Sequence, residues 1–130
     1  MVMISIPGKR GGMNVENLAQ GLTYKGEAEG KRQAYYIFEG HGFYFVISFK
    51  KSDPNAGNFH AVDSEAVEYV LGKFAGSSGV TAQDVFDRAH TTRHVAGNLD
   101  ALNILYVLVG LGHARVDRRH KEKSLYFNIK

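Results

Sequence analysis

The sequence contains no cysteine and only two prolines among its 130 residues. The lack of cysteine excludes disulfide bonds, thiolate zinc sites and cysteine nucleophiles, and it favours an intracellular protein. No segment approaches the roughly 18 apolar residues that a membrane-spanning helix requires. The apolar stretch from Met1 to Pro7 is too short for the core of a signal peptide. We therefore expect a cytoplasmic protein without a membrane span.

The first 112 residues also lack an excess of positive charge. Residues 113–130 contain six Lys or Arg against two acidic residues, a net charge of +4. Residues 1–112 contain ten basic and eleven acidic residues, a net charge of −1. Concentrated positive charge indicates an anionic partner for the last 18 residues, since solubility alone is met by charges scattered anywhere. The alternative is a solvated loop that is basic without a partner.

The N-terminal half is predicted to be rich in β-structure. Up to about residue 34 the pattern is weak: Asn14 to Leu22 fits one or two helical turns, and GKRGG and KGEAEGKR are typical of turns or loops. Two aromatic and β-branched runs then predict a hairpin of Tyr35 to Glu39 with Phe43 to Lys50. The segment NFHAV, after a stretch of turn residues, predicts a third strand.

The C-terminal half is predicted to contain three helices and a second hairpin. Asp63 or Ser64 can cap the first helix, and Thr81 with Asp84 forms a capping-box pattern at the start of the second. The third helix has two candidate starts, at Thr92 or at Asn98, and it ends at the glycines after residue 109. The runs HARVD and SLYFNIK alternate apolar and polar residues, which predicts two strands around the basic segment RRHKEK.

The order helix, helix, helix, strand, basic loop, strand over residues 64–130 resembles the winged-helix DNA-binding fold. The resemblance implies an α+β protein with a small β-rich module at residues 1–62 and a winged helix at residues 63–130, or one compact unit of both. In that family the third helix usually enters the major groove, and the loop between the closing strands, here Asp117 to Lys123, is the wing. The DNA-binding residues that the resemblance implies are Arg93, His94, Asn98, Arg115, Arg118, Arg119, His120, Lys121 and Lys123.

This resemblance implies a non-enzymatic protein that binds double-stranded DNA without a cofactor, as a transcriptional regulator or an accessory DNA-binding subunit. The chemistry of the residues agrees, because Arg and Lys on a loop can neutralise phosphates and release counterions. We also expect the acidic Asp117 and Glu122 to orient the arginines of the wing. The main alternative is a winged-helix module that binds an acidic protein surface, since fold alone does not decide function.

The segment from Ile104 to Leu111 is apolar on all sides, whereas a helix that reads a groove keeps one polar face. We expect its second face to be covered by the N-terminal aromatic sheet or by another subunit. The second alternative makes a homodimer, through this helix or through the aromatic sheet, as is common for proteins that recognise two DNA half-sites.

Three sharper hypotheses are less well supported. His90 and His94 have the spacing of two zinc ligands on a helix, but the HExxH glutamate is absent, so we expect no metal site. Glu29 and Lys31 have the ExK spacing of a metal-dependent nuclease, although a solvated turn fits the glycines around them better. The aromatic run suggests single-strand stacking, but core packing is favoured; the candidates for stacking are Tyr35, Tyr44 and Phe45.

Overall fold

The computed structural model describes residues 21–30, 33–49, 57–89, 94–119 and 125–130. These residues form an α+β fold with a four-stranded antiparallel sheet, three helices and a two-stranded hairpin. The elements in chain order are β1 (Thr23–Glu29), β2 (Ala34–Gly40), β3 (Phe43–Phe49), β4 (Gly57–Asp63), α1 (Ser64–Phe74), α2 (Ala82–Ala89), α3 (Asn98–Gly110), β5 (Ala114–Val116) and β6 (Phe127–Ile129).

The sheet is a meander in which each strand pairs with the next, in the order β1-β2-β3-β4. The predicted hairpin is confirmed, with Gly40 opposite Phe43 and only two residues in the turn. His41 and Gly42 both have positive φ, at 57° and 81°. Two consecutive positive φ values are typical of the tight turns whose twist matches that of the strands they join.

The strand β1 corrects the expectation of loops before residue 34. Thr23–Glu29 pairs antiparallel with β2, and a β-bulge interrupts the register between Tyr24 and Gly26. Glycine and charged residues are depleted in strands, so the local sequence disfavoured this assignment. The pairing partner supplies the reason for the strand, since alternate residues of β2 direct their amides and carbonyls toward β1. The helical turns expected at Asn14 to Leu22 lie largely outside the described residues.

The first two helices begin where their sequences predict, and α1 ends shortly before Gly76. The Asp63 side chain caps α1 by accepting a hydrogen bond from the Glu65 amide at 2.8 Å. At α2 the capping box is reciprocal: the Asp84 amide donates to Thr81 Oγ1 at 3.1 Å, and the Thr81 amide donates to Asp84 Oδ2 at 3.0 Å. Gly76 follows α1 with a φ of 81°, which ends the helix at low steric cost.

Helix α3 has the later of its two predicted starts. It runs from Asn98 to Gly110, and Gly97 occupies the cap position without a side-chain hydrogen bond. Asp100 in the first turn compensates, because its Oδ2 accepts a hydrogen bond from the Ala96 amide at 3.2 Å. His94 therefore precedes the helix, while Thr92 and Arg93 lie outside the described residues.

Helix α3 lies between the sheet and the other two helices and contacts all four strands of the sheet. Residues Ile104 to Leu108 are all buried within a single chain. Of the two expectations for the apolar face of this helix, cover by the N-terminal sheet is the one observed. One hydrophobic cluster includes Ile37 and Val46 of the sheet together with Val70, Val85 and Leu105 of the helices, so the two halves of the chain share a core.

Candidate functional site

The C-terminal hairpin carries most of the described basic residues that the sequence singles out. β5 pairs antiparallel with β6, and Arg115 stands opposite Asn128. Ala114, Phe127 and Ile129 are buried, so the alternation of a strand directs Arg115 and Asn128 outward. Two shallow grooves of about 390 and 410 Å³ both have Arg115 and Asn128 among their lining residues.

The base of the hairpin is fixed to the connection between α1 and α2. Val80 forms a β-bridge with Phe127, through hydrogen bonds of 2.9 Å from the Val80 amide and 2.8 Å from the Phe127 amide. The Gly79 amide donates to Asn128 Oδ1 at 3.0 Å. Phe127 is fully buried, so the basic residues project from a firmly packed base.

Asp117 and Arg119 form an ion pair where the hairpin loop begins. Arg119 donates from Nε to Asp117 Oδ1 at 2.9 Å and from Nη2 to Oδ2 at 2.6 Å. The Asp117 side chain is 4% exposed and that of Arg119 is 81% exposed. Hydrogen bonds from the Arg119 side chain and backbone hold the pKa of Asp117 well below its usual range. The expectation that Asp117 orients an arginine of this loop is confirmed for Arg119.

Arg118 has a role that the sequence did not indicate. Its Nη2 donates to the backbone carbonyl of Glu29 at 2.7 Å and lies 3.8 Å from Glu29 Oε2. The contact joins the start of the hairpin loop to the end of β1, across 89 residues of sequence. A contact of that separation has no local signal in the sequence.

The remaining predicted residues fall into two groups, those outside the described residues and those within them. His120, Lys121, Lys123 and Arg93 lie outside the described residues. The His94 ring stacks on Tyr69, with 4.8 Å between the ring centroids. Arg115 is exposed on the hairpin. Asn98 is exposed at the start of α3, and its Nδ2 donates to Gln83 Oε1 of α2 at 2.7 Å.

Among the described residues, the charged side chains around the start of α3 are mostly acidic. Gln83, which contacts Asn98, also donates to Asp87 Oδ1 at 2.7 Å. Asp100 accepts from the Ala96 amide and lies 3.2 Å from His60 Nε2. Leu99 beside it is 66% exposed. Carboxylates repel anions, so the described residues at this end of α3 form a less favourable surface for an anion than the basic hairpin does.

The middle of α3 is closed to any groove. The Tyr106 ring stacks on Tyr35 of β2 with 4.1 Å between centroids, and its edge faces Phe127 at 6.0 Å. Burial raises the pKa of Tyr106 above its usual value of 10.0. Of the three candidates for base stacking, Tyr35 and Tyr44 pack against the main hydrophobic core, and Phe45 is only 6% exposed.

The metal and nuclease hypotheses gain no structural feature. Among the residues that the structure describes, no group of three His, Asp or Glu side chains could hold a metal ion. Glu29 ends β1 beside Arg118, whereas His90 and Lys31 are outside the described residues. No helix in the described ranges is both long and apolar enough to cross a membrane.

Comparison with protein-family models, with curated proteins and with solved structures gives no match.

Proposed function

We propose that the chain is a non-enzymatic protein that binds double-stranded DNA through its basic C-terminal hairpin, as a transcriptional regulator or an accessory DNA-binding subunit. The observation that carries the proposal is the exposure of Arg115, Arg118, Arg119 and Lys130 on one short hairpin. Basic side chains on a fixed support neutralise phosphates and release counterions, which supplies most of the free energy of non-specific binding.

The winged-helix interpretation is supported by the succession of three helices and a basic hairpin that is anchored to the helices by the Val80–Phe127 bridge. Because α3 is buried along its middle and acidic around its start, the hairpin is the main contact in this proposal. Asn98 is the exposed polar residue of α3, and in this proposal its amide exchanges the hydrogen bond to Gln83 for one to a base edge. Amide side chains of this kind recognise adenine by a bidentate pair of hydrogen bonds.

The salt dependence of binding to a random duplex tests the hairpin directly. Each phosphate contact contributes a slope of roughly −0.9 to a plot of log affinity against log salt concentration. The double variant Arg115→Ala/Lys130→Ala should therefore flatten the slope by about 1.8. The matched control is Lys25→Ala/Lys73→Ala, which removes the same charge from β1 and α1 and should leave the slope unchanged.

Equal slopes for the hairpin variant and the unmodified protein would overturn the assignment of the hairpin. A uniform loss of affinity in both double variants would instead show that only net charge matters.

The alternative function, binding of an acidic protein surface, is favoured by the exposure of Leu99 beside Asn98. An exposed apolar side chain fits a protein interface better than a phosphate backbone. Leu99→Ser should weaken binding to a protein partner and leave the affinity for a random duplex unchanged, so the variant separates the two functions.

A further inference from the structure

The two edges of the four-stranded sheet are protected to very different degrees. Natural sheets protect their edges with charges, prolines or bulges, because unpaired backbone groups bind other strands. β1 has a bulge between Tyr24 and Gly26, and it carries the charged residues Lys25, Glu27 and Glu29. β4 has an uninterrupted register with β3, no proline, and no charged residue before Asp63.

The free backbone groups of β4 can be identified from the hydrogen-bond register. The Ser64 amide donates to the Gly42 carbonyl at 3.3 Å, directly after the pair of Asp63 with Phe43. Hydrogen-bonded pairs alternate along an antiparallel ladder. Val62 and His60 therefore bond to β3, and the amides and carbonyls of Phe59 and Ala61 point away from the sheet. Within the described ranges, no other segment bonds to these groups.

An aromatic surface lies next to this open edge. The Phe59 ring packs on Phe45 with 5.2 Å between centroids, and Phe43 packs on the same ring at 6.3 Å. Phe43 is 41% exposed and Phe59 is 39% exposed, and Ala61 is exposed as well. These side chains lie on the face opposite α3, since His60 on the other face contacts Asp100 of that helix. Exposed apolar groups thus lie beside backbone groups to which no described segment bonds.

We propose that a second copy of the chain binds here, by antiparallel pairing of β4 with β4 about a two-fold axis at His60. This register places Phe59 opposite Ala61 of the second copy, so that their outward amides and carbonyls bond reciprocally and a large side chain meets a small one. Gly57 then faces Asp63 of the second copy, and no like charges are opposed. The result is a continuous eight-stranded sheet with an isologous interface.

The occupant is a second copy because the strand is complementary to itself. Its central residues, Asn58 to Val62, are uncharged unless His60 is protonated, so the two-fold axis opposes no fixed charges of equal sign. A two-fold pairing of β1 would instead disrupt the ladder at the bulge. This inference is independent of DNA binding, and it can fail or succeed whatever the hairpin binds.

Cysteine cross-linking tests the register, since the sequence has no cysteine of its own. In the proposed dimer His60 faces its own copy in a non-hydrogen-bonded pair, where the Cα atoms lie ~4.5 Å apart and a disulfide can form. Under a mild glutathione redox buffer, His60→Cys should become mostly covalent dimer. Glu27→Cys, at an exposed position of β1, is the control and should remain mostly uncross-linked.

A proline variant tests the hydrogen bonds themselves. Proline is tolerated on an edge strand where the lost amide faces solvent, so Ala61→Pro should keep the far-ultraviolet circular dichroism spectrum of the fold. Light scattering should give the mass of a monomer for this variant. Ala61→Thr retains the amide and should remain dimeric.

Three results would overturn the proposal. One is that the unmodified protein has the mass of a monomer up to ~100 µM and that His60→Cys does not cross-link. Any dissociation constant of the dimer then lies above that concentration. Another is a dimer that persists in folded Ala61→Pro. The third is an edge that captures an extended peptide of another protein while the chain itself stays monomeric.

Discussion

Strand β1 and helix α3 meet backbone to backbone where Gly26 faces Gly110. A β-carbon at Gly26 would overlap the Gly110 carbonyl oxygen, and one at Gly110 would overlap the Ile37 side chain. Gly26 also has a φ of 156°, a backbone angle that residues with side chains rarely adopt. The two glycines let the end of α3 lie directly on the sheet.

We predict that Gly26→Ala lowers the free energy of unfolding by about 2 kcal/mol or more, because the added carbon forces the helix away from the strand. The control is Gly72→Ala on the exposed side of α1, where a β-carbon meets nothing within 4 Å. That change should raise stability by up to about 1 kcal/mol, since alanine favours helix over glycine. Urea unfolding measures both, and equal effects of the two variants would contradict the close approach.

A second prediction concerns the capping box of α2. Thr81→Ala removes the hydroxyl that accepts from the Asp84 amide, and it should cost about 1 kcal/mol of unfolding free energy. Thr81→Ser keeps the hydroxyl and should stay within about 0.5 kcal/mol of the unmodified protein. Thermal unfolding at several denaturant concentrations would show the difference, and identical losses for both variants would contradict it.

The contact of Arg118 with β1 predicts that two neighbouring arginines behave differently. Arg118→Ala removes the hydrogen bond to the Glu29 carbonyl and should lower the free energy of unfolding by about 1 kcal/mol. Arg115→Ala changes an exposed side chain and should alter stability by less than about 0.5 kcal/mol. Glu29→Gln keeps the carbonyl and should resemble Arg115→Ala. If Arg118→Ala is as stable as Arg115→Ala, the contact does not join the hairpin to the sheet.

The lowered pKa of Asp117 predicts an acid-sensitive hairpin. In the folded chain the carboxylate stays charged below the ordinary pKa of 3.8, because Arg119 donates hydrogen bonds to it. The unfolded chain takes up a proton there first, so the stability contributed by this group is present above pH 3.8 and is lost as the pH falls toward the lowered pKa. We expect urea unfolding of Asp117→Asn to lose less stability between neutral pH and pH 3.8 or below than unfolding of the unmodified protein. Parallel pH profiles for the two proteins would contradict this.

The first two helices could be predicted because their signals are local. Asp63 caps α1 from the adjacent position, and Thr81 and Asp84 form hydrogen bonds with each other within one turn. The start of α3 was ambiguous for the same reason, since Gly97 offers no side chain and Asp100 acts from inside the helix. Strand β1 could not be predicted because its β-structure depends on pairing with β2, and the composition of β1 carries no signal of that pairing.

The candidate site divides in the same way. The pairing of Asp117 with Arg119, two positions away, could be anticipated from the charges of the loop. The contact of Arg118 with Glu29 could not, because it depends on how the sheet and the hairpin are brought together by α3. The stacking of His94 on Tyr69 of α1 is likewise a tertiary contact between residues that are distant in sequence.

The bridge between Val80 and Phe127 bears on how the chain folds as it is synthesised. Helices α1 and α2 are synthesised before Phe127, yet this residue bridges to Val80 between them and is fully buried. Until Phe127 has been synthesised, the apolar side chains of these helices remain partly exposed to water. The helical half is thus expected to complete its packing only after Phe127 has been synthesised, with β6 as the last of these segments to pack.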